Sequence, residues 1–148
     1  MDGERKSSPL LNSRAIEIEG TFSPDGKWIA YTSDESGRFE VYVQPFPLTG
    51  AKWQISRDGG WKPRWRRDGR EIFWVEEDGT LMAAPVAPGP TIRPGAPVAL
   101  FETRMVGSGE RYAVAADGQR FLVPMPVVDV STPVPVTLIQ NWLAAAKR

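Results

Sequence analysis

One short phrase occurs three times in this chain and sets most of what the chain can fold into. It reads Phe22-Ser-Pro-Asp-Gly-Lys-Trp-Ile-Ala-Tyr31, then Trp65-Arg-Arg-Asp-Gly-Arg-Glu-Ile-Phe-Trp74, then Val114-Ala-Ala-Asp-Gly-Gln-Arg-Phe-Leu-Val123. Each copy has a large apolar residue, two spacers, Asp-Gly, one or two polar residues and an apolar run. Asp-Gly between two apolar runs signals a hairpin, because Gly accepts the positive φ that a tight turn needs. Each copy therefore predicts two antiparallel strands joined at Asp25-Gly26, Asp68-Gly69 or Asp117-Gly118. The three carboxylates are expected to cap their own turns by accepting a backbone N–H two residues on. Asp2, Asp58 and Asp78 are also followed by Gly, where ordinary Gly usage would give about one such pair in all.

The copies start 43 and then 49 residues apart, near the ~40–45 residue period of a four-stranded propeller blade. The expected class is all-β: three four-stranded antiparallel blades, half of a six-bladed β-propeller. Residues 1–8 are expected to be disordered. Blade 1 spans about 19–56, with strands at Glu19–Ser23, Trp28–Ser33, Phe39–Gln44 and Lys52–Ile55. Blade 2 spans about 57–102, with strands at Lys62–Arg66, Glu71–Val75, Thr80–Pro85 and Pro97–Phe101, and a Pro/Gly-rich loop from Pro88 to Gly95. Blade 3 spans about 103–142, with strands at Arg111–Ala115, Arg120–Val123 and Val136–Trp142, a proline-containing loop between the last two, and a helix-favouring tail after Trp142.

Blade 3 lacks a fourth strand of its own, and Pro9–Asn12 is a short apolar piece with no local partner. Propellers need about 4–8 blades to close, and a three-blade arc would leave apolar flanks in water. The expectation is a homodimer of two arcs, with residues 9–12 of one chain completing the last blade of the other.

Several function classes are disfavoured by what the chain lacks. Lys plus Arg and Asp plus Glu each number 18, so no net field favours nucleic acid or anionic lipid. There is no His and no Cys, which removes the usual Ser-His pair, the commonest metal ligand and any thiolate chemistry. Met1–Lys6 is charged and not followed by an apolar signal region, and no stretch approaches the ~18 apolar residues of a membrane span. No cofactor, metal or catalytic residue is assigned, and compartment is not readable.

Ser23-Pro-Asp-Gly26 followed by Lys27-Trp-Ile-Ala-Tyr31 resembles the repeat of TolB-type β-propellers. Tyr31-Thr-Ser-Asp-Glu-Ser-Gly-Arg38 with Glu40-Val-Tyr-Val-Gln-Pro-Phe-Pro47, Trp65-Arg-Arg-Asp-Gly-Arg-Glu-Ile-Phe73 and Asn141-Trp142 resemble the C-terminal propellers of bacterial serine/threonine protein kinases. The resemblance runs from about Ser8 to the end of the chain. It implies an accessory sensory or protein-binding region, with kinase activity in a separate upstream domain. The full Ser-Pro-Asp-Gly occurs once, becoming Arg-Arg-Asp-Gly and Ala-Ala-Asp-Gly later. Neither the Gly-rich loop with its Lys nor the His-Arg-Asp loop of a kinase is present.

Two candidate binding surfaces remain. Asp34-Glu35 and Glu76-Glu77-Asp78 join second to third strands, so they should share a rim with Asp58, where an acidic funnel would meet a cation or a basic partner; the alternative is ordinary solvated loop charge. Trp61 and Arg64 lie on an inner strand, Trp61-Lys-Pro-Arg-Trp-Arg-Arg67, that mixes cations with aromatics as nucleic-acid surfaces do. Zero net charge argues against that use. It leaves Trp65 and Trp74 as packing residues, with Arg64 and Arg66 turned to the channel or solvent. The expected function is a non-catalytic binding or assembly module with a protein or peptide as ligand. The other class is a propeller piece of a prolyl-oligopeptidase-like hydrolase or of a TolB-like periplasmic protein.

Overall fold

The structure, a computed structural model, describes residues 9–87, 89, 91–103, 105 and 112–124, and the backbone of 136–140. The expectations for residues 1–8, the 125–135 loop, Asn141-Trp142 and the terminal tail lie outside the described residues.

All described elements are strands, and all pairings are antiparallel. The first sheet holds β1 (Glu17–Phe22), β2 (Trp28–Ser33), β3 (Glu40–Pro45) and β4 (Trp53–Gln54), in that order. The second holds β5 (Trp61–Trp65), β6 (Glu71–Val75), β7 (Thr80–Ala87), β8 (Arg93–Pro94) and β9 (Val98–Glu102), with β8 and β9 both on β7. The third holds β10 (Ala113–Val114), β11 (Arg120–Pro124) and β12 (Val136–Gln140).

The turn chemistry repeats with the phrase. Gly26, Gly69 and Gly118 have φ of 70°, 72° and 68°, and each donates its N–H to the carbonyl three residues back, Ser23, Arg66 and Ala115, at 2.9 Å. The Asp therefore sits at the third position of a β-turn and the Gly at the fourth, inside a hairpin loop wider than a two-residue Asp-Gly turn. Ser23, Arg66 and Ala115 also donate across the loop to the carbonyls of Trp28, Glu71 and Arg120. Asp25, Asp68 and Asp117 accept the amides of Lys27, Arg70 and Gln119 at 3.1, 3.0 and 2.9 Å.

Alternation then decides which sheet each side chain faces. On β6, Ile72 and Trp74 pack with Ala30, Val41, Val43 and Ile55 of the first sheet. Phe73 and Val75 point the other way and pack with Tyr112, Phe121 and Val123 of the third. Phe73 meets Phe121 edge to face at 5.2 Å. The second sheet is thus apolar on both faces, which is why Glu71–Val75 reads as an apolar run rather than as alternation.

Two expectations need correction, and Pro9–Asn12 takes a place in its own chain that its residues do not announce. Within the chain Pro9–Asn12 forms no strand; Leu11 instead packs on Ile29, Tyr31 and Tyr42 of the first sheet, since Pro9 has no N–H for a ladder and Leu11 finds apolar surface nearby. The Pro88–Gly95 loop contains β8. Together β8 and β9 form one outer strand interrupted beside Pro85, whose missing N–H cannot pair there and whose ring lies where a Gly95 side chain would go, a Cβ meeting its Cγ at 2.6 Å. Arg66 turns neither to channel nor to open solvent: it pairs with Glu71 at 3.2 Å and lies over Gly118 of the next hairpin.

Candidate functional site: the loop rim and the inner-strand seam

The turns joining β2 to β3 and β6 to β7 lie at the opposite end of their sheets from the Asp-Gly hairpins. Asp34 and Glu76 open these turns, accepting from Gly37 and Gly79 at 2.9 and 3.0 Å. The rim is organised by Glu40, a carboxylate only 1% exposed. Its oxygens accept the Ser56 hydroxyl, the Gly59 N–H at 3.2 Å and Arg38 Nε at 2.6 Å. Ser56 in turn accepts the Val41 N–H at 2.7 Å. Arg38 also reaches exposed Asp58 at 3.6 Å. Residues 56–60 are the link from the first sheet to the second, so this buried charge fixes how one sheet leads into the next.

Asp58, Glu76 and Asp78 share this neighbourhood. Burial, followed by the negative charges of Asp78, Asp58 and Glu40, raises the Glu76 carboxyl above its ordinary range, while Arg38 opposes the shift. Asp78 is held below the ordinary range because it accepts the Thr80 amide. Glu77 packs its Cβ beside Gly59. Asp34 and Glu35 go elsewhere: Asp34 accepts the Ile16 N–H at 2.8 Å, and Glu35 pairs with Lys52 at 2.5 Å. Among the described residues no group of three or more acidic side chains is placed to hold a metal ion.

The inner strands carry a second network. Glu19 and Lys62, 43 residues apart, both have φ of 58° at irregularities in β1 and β5. A left-handed backbone at a non-Gly residue costs on the order of 1–2 kcal/mol. The surroundings hold it: Glu19 Oε2 accepts the Lys62 N–H at 2.6 Å and the Thr32 hydroxyl at 3.2 Å. The Tyr112 hydroxyl then donates to the Lys62 carbonyl at 3.0 Å. Hydrogen bonds thus run from the first sheet to the second and on to the third. Burial raises the Tyr112 phenol far above its ordinary value, so it stays protonated as a donor. Arg64 stacks over the Tyr112 ring at 5.9 Å, and Trp61 packs on Phe39 at 4.2 Å. Sequence reasoning passed over Glu19, Glu40, Lys62 and Tyr112. For Glu40 a signal was present: a single carboxylate inside the apolar strand Phe39–Val43.

At the hairpin end, a cleft of about 440 Å³ opens between the first two sheets, with Trp28, Trp65, Asp25 and Asp68 among its walls. Both carboxylates are already engaged as turn caps.

No known protein-family model matches the chain. Among curated proteins, the TolB homolog of Chlorobaculum tepidum is 31% identical over 93 residues, covering 54% of this chain and 21% of that protein. Among solved structures, oligogalacturonate lyase from Vibrio parahaemolyticus superimposes with a TM-score of 0.55 at 15% identity, over 77% of this chain and 31% of that one. TolB from Acinetobacter baumannii gives a TM-score of 0.41 at 18% identity, over 88% and 42%. The fold is an all-β arrangement of successive antiparallel sheets, as in a segment of a β-propeller. The sequence match carries the likeness to TolB, and the lyase superposition carries the fold alone. The chain spans about a fifth of the length of the curated relative it matches. No helix among the described residues is long and apolar enough to cross a membrane.

Proposed function

We propose that this chain is a non-catalytic propeller module for binding and assembly, of the kind attached to bacterial serine/threonine kinases, in which two copies complete one ring. The observation that supports it is the use made of the charged groups. The hairpin carboxylates cap amides, while Glu19 and Glu40 join adjacent sheets. These carboxylates act as joints between sheets, and the rim presents Asp58, Glu77 and Asp78 to a basic protein or peptide segment. The test is light scattering on the purified chain. A mass of twice 16.4 kDa is expected at micromolar concentration, and a well-folded monomer there would refute the two-copy ring.

A second reading is favoured by the span of the sequence match: a piece of a larger TolB-like propeller. It also covers a prolyl-oligopeptidase-like hydrolase. The neighbouring coding sequence separates these readings. An upstream kinase domain supports the first, and further propeller repeats or a downstream α/β-hydrolase support the second.

A further inference from the structure

The same two faces meet twice within the chain. Ile72 and Trp74 of β6, and Phe121 and Val123 of β11, face back onto the preceding sheet, while Ala30 and Phe73 face forward onto the following one. Repeat spacing places Ile29 and Tyr31 at the backward-facing positions of the first sheet, and Leu122 at the forward-facing position of the third. The two ends of the arc differ. Leu122 is 47% exposed where Ala30 and Phe73 are 0%. Ile29 and Tyr31 are buried, and Leu11 of the N-terminal segment packs against them.

That segment stands where a neighbouring sheet would be. It is pinned at one end, where Ile16 and Asp34 exchange two hydrogen bonds, at 2.8 and 3.3 Å. Beside it lies an open groove of about 290 Å³, lined by Leu10, Leu11, Ile18, Ile29 and Tyr31 among others, which the segment does not fill. The segment also leaves Phe22 52% exposed. The repeat partner of Phe22 is Trp65, whose indole N–H reaches the Thr21 carbonyl of the sheet before it.

We propose that residues 9–16 form a displaceable strap over the backward face of the first sheet, and that the occupant it excludes is the forward face around Leu122 of a second copy. This rests on the assembly reading above. A second copy supplies a third meeting of faces that already meet twice, so no new chemistry is needed. Interdigitated sheet faces also exclude voids that a single strap cannot fill.

The test is sedimentation equilibrium on the full chain and on a Leu10→Asp/Leu11→Asp variant, with Leu11→Ser as the milder form should the double variant misfold. Releasing the strap is expected to lower the self-association Kd at least tenfold, and adding Leu122→Arg is expected to abolish the gain. Weakened or unchanged association would overturn the strap, as would a gain that survives Leu122→Arg. A variant that stays monomeric but newly binds an apolar dye would overturn the second copy as occupant. A monomeric wild type with a dimeric variant refutes the constitutive ring and supports the strap. A dimeric wild type with a variant no tighter refutes the strap and keeps the ring.

Discussion

Replacing Glu40 should uncouple the first two sheets, and its neighbours set the size of the effect. The carboxylate receives three donors, from Ser56, Gly59 and Arg38, in a site closed to water on the Ser56 side. Glu40→Ala leaves the Ser56 hydroxyl and the Gly59 N–H without that acceptor, and each unpaired buried polar group costs about 1–3 kcal/mol. Loss of packed side-chain volume adds to this, so the total should be about 3–5 kcal/mol, with half-exposed Arg38 left to water. Glu40→Gln keeps the shape and one acceptor oxygen and loses the charge facing Arg38, so it should cost about 1–2 kcal/mol. Urea denaturation at fixed protein concentration measures both, with an unchanged slope expected. For a chain of this size, Glu40→Ala should lower the melting temperature by about 6–20 °C, at about 2–4 °C per kcal/mol. A cycle with Ser56→Ala should show a coupling of about 1 kcal/mol or more. If Glu40→Ala and Glu40→Gln prove equal to each other and within about 0.5 kcal/mol of the parent, the link between the sheets does not depend on this carboxylate.

Gly60→Ala places a Cβ 2.5 Å from Ser56 Oγ and 3.0 Å from Val41 Cγ2; an overpacking cost of about 1–3 kcal/mol is expected, and a thermal shift below about 1 °C would refute it. Glu76 has a folded-state carboxyl raised above its unfolded value, so the folded state holds the extra proton and loses stability as pH rises through that window. Glu76→Gln should therefore raise the urea midpoint at pH 7 and leave it unchanged near pH 4; an equal shift at both would assign the effect to something other than titration. Tyr112→Phe removes the hydrogen bond to the Lys62 carbonyl and should cost about 1 kcal/mol, with faster amide exchange along β5 by NMR. Unchanged exchange there would show that the seam does not hold the second sheet.

Much of this fold could be read in the residues because its signals are local. Trp28–Ser33 and Glu71–Val75 form strands with the expected bounds, since an apolar run after Asp-Gly is specified by nearest neighbours alone. Pro85 was within view too, but its effect appears only when Gly95 is brought beside it. Leu11 shows the limit more clearly. Its partners Ile29, Tyr31 and Tyr42 are 18 to 31 residues away, and nothing in Pro9–Asn12 tells whether it pairs as a strand or covers a face. The acidic rim was half legible. Loop positions brought Asp58, Glu76 and Asp78 to one neighbourhood, whereas Asp34 and Glu35 were drawn off by Ile16 and Lys52, partners that spacing does not announce. Glu19 and Lys62 needed the backbone itself, because a left-handed residue that is not Gly leaves no mark in composition.

The broken outer strand of the second sheet has a consequence for how this molecule meets others. Pro94 in β8 and Pro97 just before β9 lie along that margin, and neither has an N–H to offer an incoming extended chain. The margin is blunt to lateral growth. Stacking of one wedge against another is thereby left as the open direction for enlargement, and runaway zippering of loose polypeptide onto the rim is discouraged by covalent design.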